Sequence, residues 1–227
     1  MAIGTLNPTL LDVAQRVKGD GHLDKIVEMM NQTNEVLTDM TMLEGNLQTG
    51  NMTTIRTGLP KATWRLFNSG VNQDKSKTAQ ITDACGMLES YAVVDRKLVD
   101  ISNNAAEFRL QEDRAFLESM NQEMASTLFY GSKSEKFIGL SPRYNDKTAR
   151  SAENLIDAGG TGNQLTSIWL CVWGPNTMYG FYPKGGKAGF TMENDGVVDA
   201  LDGEGKKYKA YQTHYSWDLG LTVRDWR

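Results

Sequence analysis

Apolar residues recur along the chain with more than one period, and each period predicts a different kind of element. Near the start, Leu10, Leu11, Val13, Ala14 and Val17 form a stripe at helical spacing. Asn7-Pro8-Thr9 opens it, with Asn7 able to cap and Pro8 in the first turn, and Gly19 stops it. A second stripe carries Leu23, Ile26, Val27, Met30, Leu37 and Met40, with polar Asn31-Gln32-Thr33-Asn34 in its middle, so one kinked helix or two is expected before Gly45 and Gly50. Stripes this thin build no core alone, and the segment is expected to lie against something else.

From Thr53 the period changes. Thr53-Thr54-Ile55-Arg56-Thr57 and Ala62-Thr63-Trp64-Arg65-Leu66-Phe67 are rich in β-branched and aromatic residues, with Pro60 between them. Asn68-Ser69-Gly70 is a turn signal, and Ser76 to Thr82 resumes strand-like alternation. The pattern predicts a long two-stranded hairpin over 53–97 with few apolar residues for its length. An isolated hairpin is marginal in water, so this one needs a neighbour.

The helical period returns over Asn104 to Tyr130, with a capping-box-like Asn104-x-x-Glu107 start and no Pro or Gly before Gly131. Phe108, Phe116, Met120, Met124 and Leu128 form a ladder at four-residue steps with Glu112 as its polar rung, while Leu110 and Leu117 lie on a second face. At 1.5 Å per residue the helix is about 40 Å long, well beyond the average, and it is expected to act as a spine beside a sheet. Beyond a Gly/Ser/Lys/Pro-rich link, the pattern predicts strands at Ser167–Trp173, Met178–Tyr182, Lys209–Tyr215 and Leu219–Val223, with a turn at Pro175-Asn176 and an acidic loop over Glu193–Asp202.

Composition narrows the chemistry. The 227 residues carry 24 Lys+Arg against 28 Asp+Glu, a net charge of -4, with 40% hydrophobic residues. That is enough apolar content for packed structure and too acidic for a protein that coats nucleic acid by charge. No apolar run approaches the ~20 residues of a membrane span, no leader pattern opens the chain, and two distant Cys form neither a disulfide framework nor a zinc set. The expectation is a soluble protein made in the cytoplasm. Only His22 and His214 are available as histidine bases. Asp157-Ala158-Gly159-Gly160-Thr161-Gly162 and Gly185-Gly186-Lys187-Ala188-Gly189 lack the Gly-Lys-Ser/Thr and following helix of a phosphate loop. Glu193, Asp195, Asp199, Asp202 and Glu204 lack the alternation of an EF-hand loop. No catalytic residue, cofactor site or metal site is assigned. The aromatics lie mainly on predicted strands without interleaved basic residues, which favours packing in a core or subunit interface over base stacking.

The order of elements resembles the major capsid proteins of tailed bacteriophages, with their α+β Hong Kong-type capsid fold. The local match is to a short-tailed, podovirus-like branch. It is carried by Thr53-Thr54-Ile55-Arg56-Thr57-Gly58-Leu59-Pro60, Thr63-Trp64-Arg65, Asn68-Ser69-Gly70-Val71, Thr82 to Glu89, Thr127-Leu128-Phe129-Tyr130-Gly131, Trp173-Gly174-Pro175-Asn176-Thr177, His214-Tyr215-Ser216-Trp217-Asp218 and Val223 to Arg227. The resemblance implies an N-terminal arm over 1–50, an extended β-hairpin loop over 51–100, a spine helix over 101–131 and an antiparallel peripheral-domain sheet with its loops over 132–227. Relatives continue into an axial domain. The chain stops just after a strand, so it is expected to be truncated or to have that domain replaced.

The implied function is self-assembly into hexamers and pentamers of an icosahedral shell around packaged double-stranded DNA, held non-specifically on the inner face. The implied location is the virion, after synthesis in the host cytoplasm. The implied partners are further copies of the chain, a portal and a cement or decoration protein. A separate scaffolding protein is expected too, because the arm is too short to include a fused one. Inter-subunit contact candidates are Ile55, Arg56, Leu59, Trp64, Arg65 and Phe67 on the hairpin and Leu23, Ile26 and Met30 on the arm. Two other classes stay open on the residues: a β-rich hydrolase using His214 as base, and a nucleic-acid-binding module.

Overall fold

The computed structural model describes residues 34–101, 105–132, 134–149, 153–160, 162 and 165–224. The arm stripe with Leu23, Ile26 and Met30, the Asn104 cap and the last three residues lie outside the described residues. In order, the elements are α1 (Glu35–Asp39), β1 (Met42–Glu44), β2 (Gly50–Gly58), β3 (Lys77–Ala84), β4 (Gly86–Asp95), α2 (Arg96–Ile101), α3 (Ala105–Tyr130), α4 (Leu140–Arg143), β5 (Met178–Tyr182), β6 (Phe190–Leu201) and β7 (Lys207–Val223). They divide between two compact units. The first comprises Met87–Ser126 and Gly189–Trp217 with the described residues up to Thr38; the second comprises Asp39–Gly86, Thr127–Ala188 and the described residues from Asp218 onward.

In the first unit, the four-residue ladder of α3 supplies the apolar face. Phe108 packs with Val94 and Val99, against Leu98 and Tyr211. Met120 packs with Ala92 and Tyr215, against Leu88, Phe116 and Trp217. Met124 is buried as well, whereas Leu110 and Leu117 on the second face are exposed. β6 and β7 form a long antiparallel ladder from Phe190↔Trp217 to Leu201↔Lys207, interrupted by a bulge between Asn194 and Gly196. The hairpin closes at Asp202-Gly203-Glu204-Gly205, where Asp202 Oδ1 accepts the N–H groups of Glu204 and Lys206 at 2.9 and 2.8 Å.

This corrects the acidic loop expected over Glu193–Asp202, most of which is strand. The register sets Asp199 opposite Lys209, with Nζ–Oδ1 at 2.7 Å, and Lys207 opposite Leu201. Lys209 on the partner strand thus offsets part of the repulsion that made the stretch read as a loop. β7 is likewise one strand of 17 residues where two were expected.

In the second unit, β5 pairs antiparallel with the end of β7, Met178↔Val223 to Phe181↔Gly220. On its other side β5 pairs in parallel with β1, Met42↔Gly180 to Glu44↔Tyr182. Gly220 is required by packing, since a Cβ there would lie 2.3 Å from the ring of fully buried Phe181. β2 and β3 make the hairpin, Gly50↔Ala84 to Gly58↔Lys77. Its second strand ends at Ala84; the chain then starts β4, so the hairpin is shorter than the expected 53–97. Ala62–Phe67, expected as strand, has no regular structure.

Ser167–Trp173 is a further correction. The run reads as a strand from its apolar residues, yet only Trp173 makes a bridge, to Met178, and Ile168 and Leu170 are almost fully exposed. Trp169 instead lies beside Phe129 and Tyr144, with centroids 6.4 and 6.2 Å away. An apolar run acquires strand structure only where another strand completes its hydrogen bonds.

Candidate assembly interface

The hairpin has a root, two strands and a tip, and its side chains change character along it. On β2 alternate residues Asn51, Thr53 and Ile55 are buried, while Met52, Thr54 and Arg56 are exposed. On β3 every residue is exposed except Asp83. The ribbon therefore has one covered face near its root, and among the described residues β3 pairs with no strand but β2.

The root is polar. Asn51 Nδ2 donates to Tyr179 Oη at 2.9 Å and to Thr222 Oγ1 at 3.0 Å. Its register partner Asp83 receives Arg143 Nη2 at Oδ1, 2.8 Å away, and the same nitrogen donates to the Leu221 carbonyl at 2.9 Å. Arg143 Nε donates to the Ile138 carbonyl at 3.1 Å. Asn46 adds a strand-like contact: its Oδ1 accepts Met52 N–H at 2.7 Å and its Nδ2 donates to Met52 O at 2.6 Å. Gly50 fits because a Cβ there would meet the Asp83 carbonyl oxygen at 2.4 Å.

The tip, residues 59–76, carries large apolar side chains that nothing among the described residues covers. Trp64 and Phe67 are 104% and 99% exposed, with Leu59, Leu66 and Val71 open beside them. The backbone holds its course through local bonds. Asp74 accepts the N–H groups of Lys61 and Lys75, both at 2.8 Å, which hold its carboxyl below the usual carboxylate range. Ser69 N–H donates to Leu66 O at 3.2 Å across a turn in which Asn68 takes a left-handed φ of 61°. Exposed aromatic side chains held on a braced loop are a general feature of protein contact surfaces.

Of the contact candidates, Arg56, Leu59, Trp64, Arg65 and Phe67 are exposed on the hairpin. Ile55 departs from expectation: strand alternation puts it on the covered face, 8% exposed. Leu23, Ile26 and Met30 lie outside the described residues. The root residues Asn51, Asp83 and Arg143 were not among the candidates, and no local spacing connects them, since Arg143 and Asp83 are 60 positions apart.

The groups named for other chemistry have ordinary surroundings. His214 stacks on Tyr91, centroids 4.4 Å apart, and its Nε2 lies 3.5 Å from Glu89. Burial, with the negative charge of Asp218 adding to it, pushes the Cys85 thiol up to about 12, so at neutral pH it is no thiolate nucleophile. Burial raises Cys171 as well. In the first glycine loop Asp157 accepts Gly159 N–H at 3.0 Å and pairs with Lys147. Among the described residues no group of three His, Cys, Asp or Glu side chains is placed to hold a metal ion. No described helix is long and apolar enough to cross a membrane.

The family model described as "Major capsid protein GP7" matches residues 18–227. Among solved structures, the chain is similar to one from bacteriophage Epsilon15, at 36% identity and a TM-score of 0.75, over 100% of this chain and 70% of that one. It is similar in fold to the capsid of a native GTA particle (12% identity, TM-score 0.57, covering 97% of this chain and 96% of that one). The same holds for a chain from Microbacterium phage Oxtober96 (10% identity, TM-score 0.58, covering 95% and 92%). No curated protein matches.

Proposed function

The chain belongs to the major capsid protein GP7 family, and from that premise we propose that its β2–β3 hairpin is the element through which copies grip one another in the shell. The protein is a shell-forming phage coat protein with the α+β Hong Kong-type capsid fold, and its place is the virion. The observation that carries the proposal is the tip: Trp64 and Phe67 stand fully exposed on a loop braced by Asp74, at the end of a ribbon whose β3, among the described residues, pairs with β2 alone.

On this reading the tip lies on an adjacent copy and buries its aromatic side chains there, while the β3 edge is free to extend a neighbour's sheet. Contacts of this head-to-tail kind close into rings, the hexamers and pentamers of an icosahedral shell. Each is modest alone, and their number makes the shell stable. The net charge of -4 suits a lining that encloses double-stranded DNA without adhering tightly to it. A separate scaffolding protein, a portal and an outer decoration protein complete the proposed partners, with synthesis in the host cytoplasm. The subunit's work is mechanical, and no catalytic residue is assigned.

The test is the double variant Trp64→Ser/Phe67→Ser, produced in the full-length protein with its scaffold. Negative-stain microscopy should show at least a tenfold loss of closed shells, with the circular dichroism of the free subunit unchanged, because neither side chain packs against any described residue. Shells in wild-type number would refute the role of the tip.

A further inference from the structure

Two polar residues facing each other across a hairpin are ordinary when exposed. Here they are buried. Asn51 and Asp83 are cross-strand partners at the root of the ribbon, 4% and 6% exposed, at a place where an apolar pair would add burial at no polar cost.

Their bonds converge on adjacent residues of one strand. Asn51, on β2, holds the side chain of Thr222, and through Tyr179 it holds the residue paired with Thr222 on β5. Asp83, on β3, holds Arg143, whose Nη2 also reaches the carbonyl of Leu221. Both strands of the ribbon are thus tied to Leu221 and Thr222 of β7, each by a directional contact, and Arg143 is itself fixed to the Ile138 carbonyl. Asp83 Oδ2 has no hydrogen-bond partner among the described residues, so its single anchor is the Oδ1 contact to Arg143. Apolar packing tolerates sliding and tilting; hydrogen bonds of fixed length and direction tolerate far less.

We propose that Asn51, Asp83 and Arg143 form a latch that sets the angle and register at which the hairpin leaves the sheet, and thereby the curvature of the assembled shell. They are positioning residues: they act through the hairpin and do not touch the neighbouring copy. The proposal rests on the hairpin being the gripping element. A tilt of a few degrees at the root is multiplied along eight paired residues and the loop beyond, so a loosened root misplaces the tip even when every tip residue is intact.

The test compares Asp83→Asn and Arg143→Lys, which keep size and polarity but weaken the charged, two-pronged contact. Under the proposal both variants give folded subunits that assemble into mis-sized, open or tubular particles, with closed shells of wild-type diameter reduced at least tenfold. A role in stability alone predicts a lower melting temperature with wild-type shell diameter below it, and that result overturns the proposal. Wild-type assembly of the Trp64/Phe67 variant would instead strike at the gripping role, so the two failures are distinguishable. A second measurement needs no variant: in the unassembled wild-type protein, hydrogen exchange should find the amides of 50–53 and 82–84 protected at least tenfold over those of 61–73. Equal exchange at root and tip would mean that no latch exists.

Discussion

At the residue scale, the side chains that matter most are those whose surroundings contradict their type. Trp64 and Phe67 belong in a core and stand in water; Asn51 and Asp83 belong in water and lie buried. The first was legible only in part: Trp64 and Phe67 were contact candidates, but Ala62–Phe67 read as strand because its β-branched and aromatic residues carry that signal, and the structure leaves it an open loop. The second was not, since its contacts join residues between 60 and 171 positions apart. Cys85 is legible only as a thiol until its burial and the nearby Asp218 are known. Its raised pKa yields a signed expectation. The folded state keeps the proton that the unfolded chain loses near the ordinary thiol value of 9.0, so Cys85 lowers stability as pH rises from there towards about 12 and is without effect near neutrality. At pH 8, alkylation of Cys85 should run at least roughly tenfold slower in the native subunit than in denaturant, because so little of the thiol is ionised; equal rates would show that the burial is not present in solution.

At the element scale, the spine helix α3 was legible almost to the residue, since a four-residue apolar step without Pro or Gly admits few other structures. The structure gives each face of that pattern a different weight. Leu128 is fully buried and Leu110 half exposed. Leu128→Ala should therefore cost about 2–5 kcal/mol in denaturant unfolding, and Leu110→Ala less than about 0.5 kcal/mol. Comparable losses at the two sites would mean that the helix buries a different face. The strands were harder to read, for a physical reason. A strand is half an element, completed by its partner, so sequence-local signals misjudge it in both directions. Acidic Glu193–Leu201 becomes strand because β7 pairs along it and sets Lys209 opposite Asp199, while apolar Ser167–Trp173 pairs only at Trp173. The hairpin sits between these cases: its strands were expected, but its true end at Ala84 is set by where β4 begins.

At the scale of the whole molecule, the chain is a phage coat protein whose proposed contact element is a braced aromatic loop. The GP7 family match over residues 18–227 and the likeness to the Epsilon15 chain agree with the capsid fold read from the sequence, and the described residues run through a hairpin, a long helix and then strands. The central claim is that this hairpin is the grip between copies. Cryo-electron microscopy of shells assembled from the full-length protein tests it most directly. The account predicts density for residues 59–76 lying on an adjacent subunit, with the Trp64 and Phe67 rings within about 4.5 Å of its side chains. Well-formed shells in which that loop points into solvent, touching no neighbour, would contradict it.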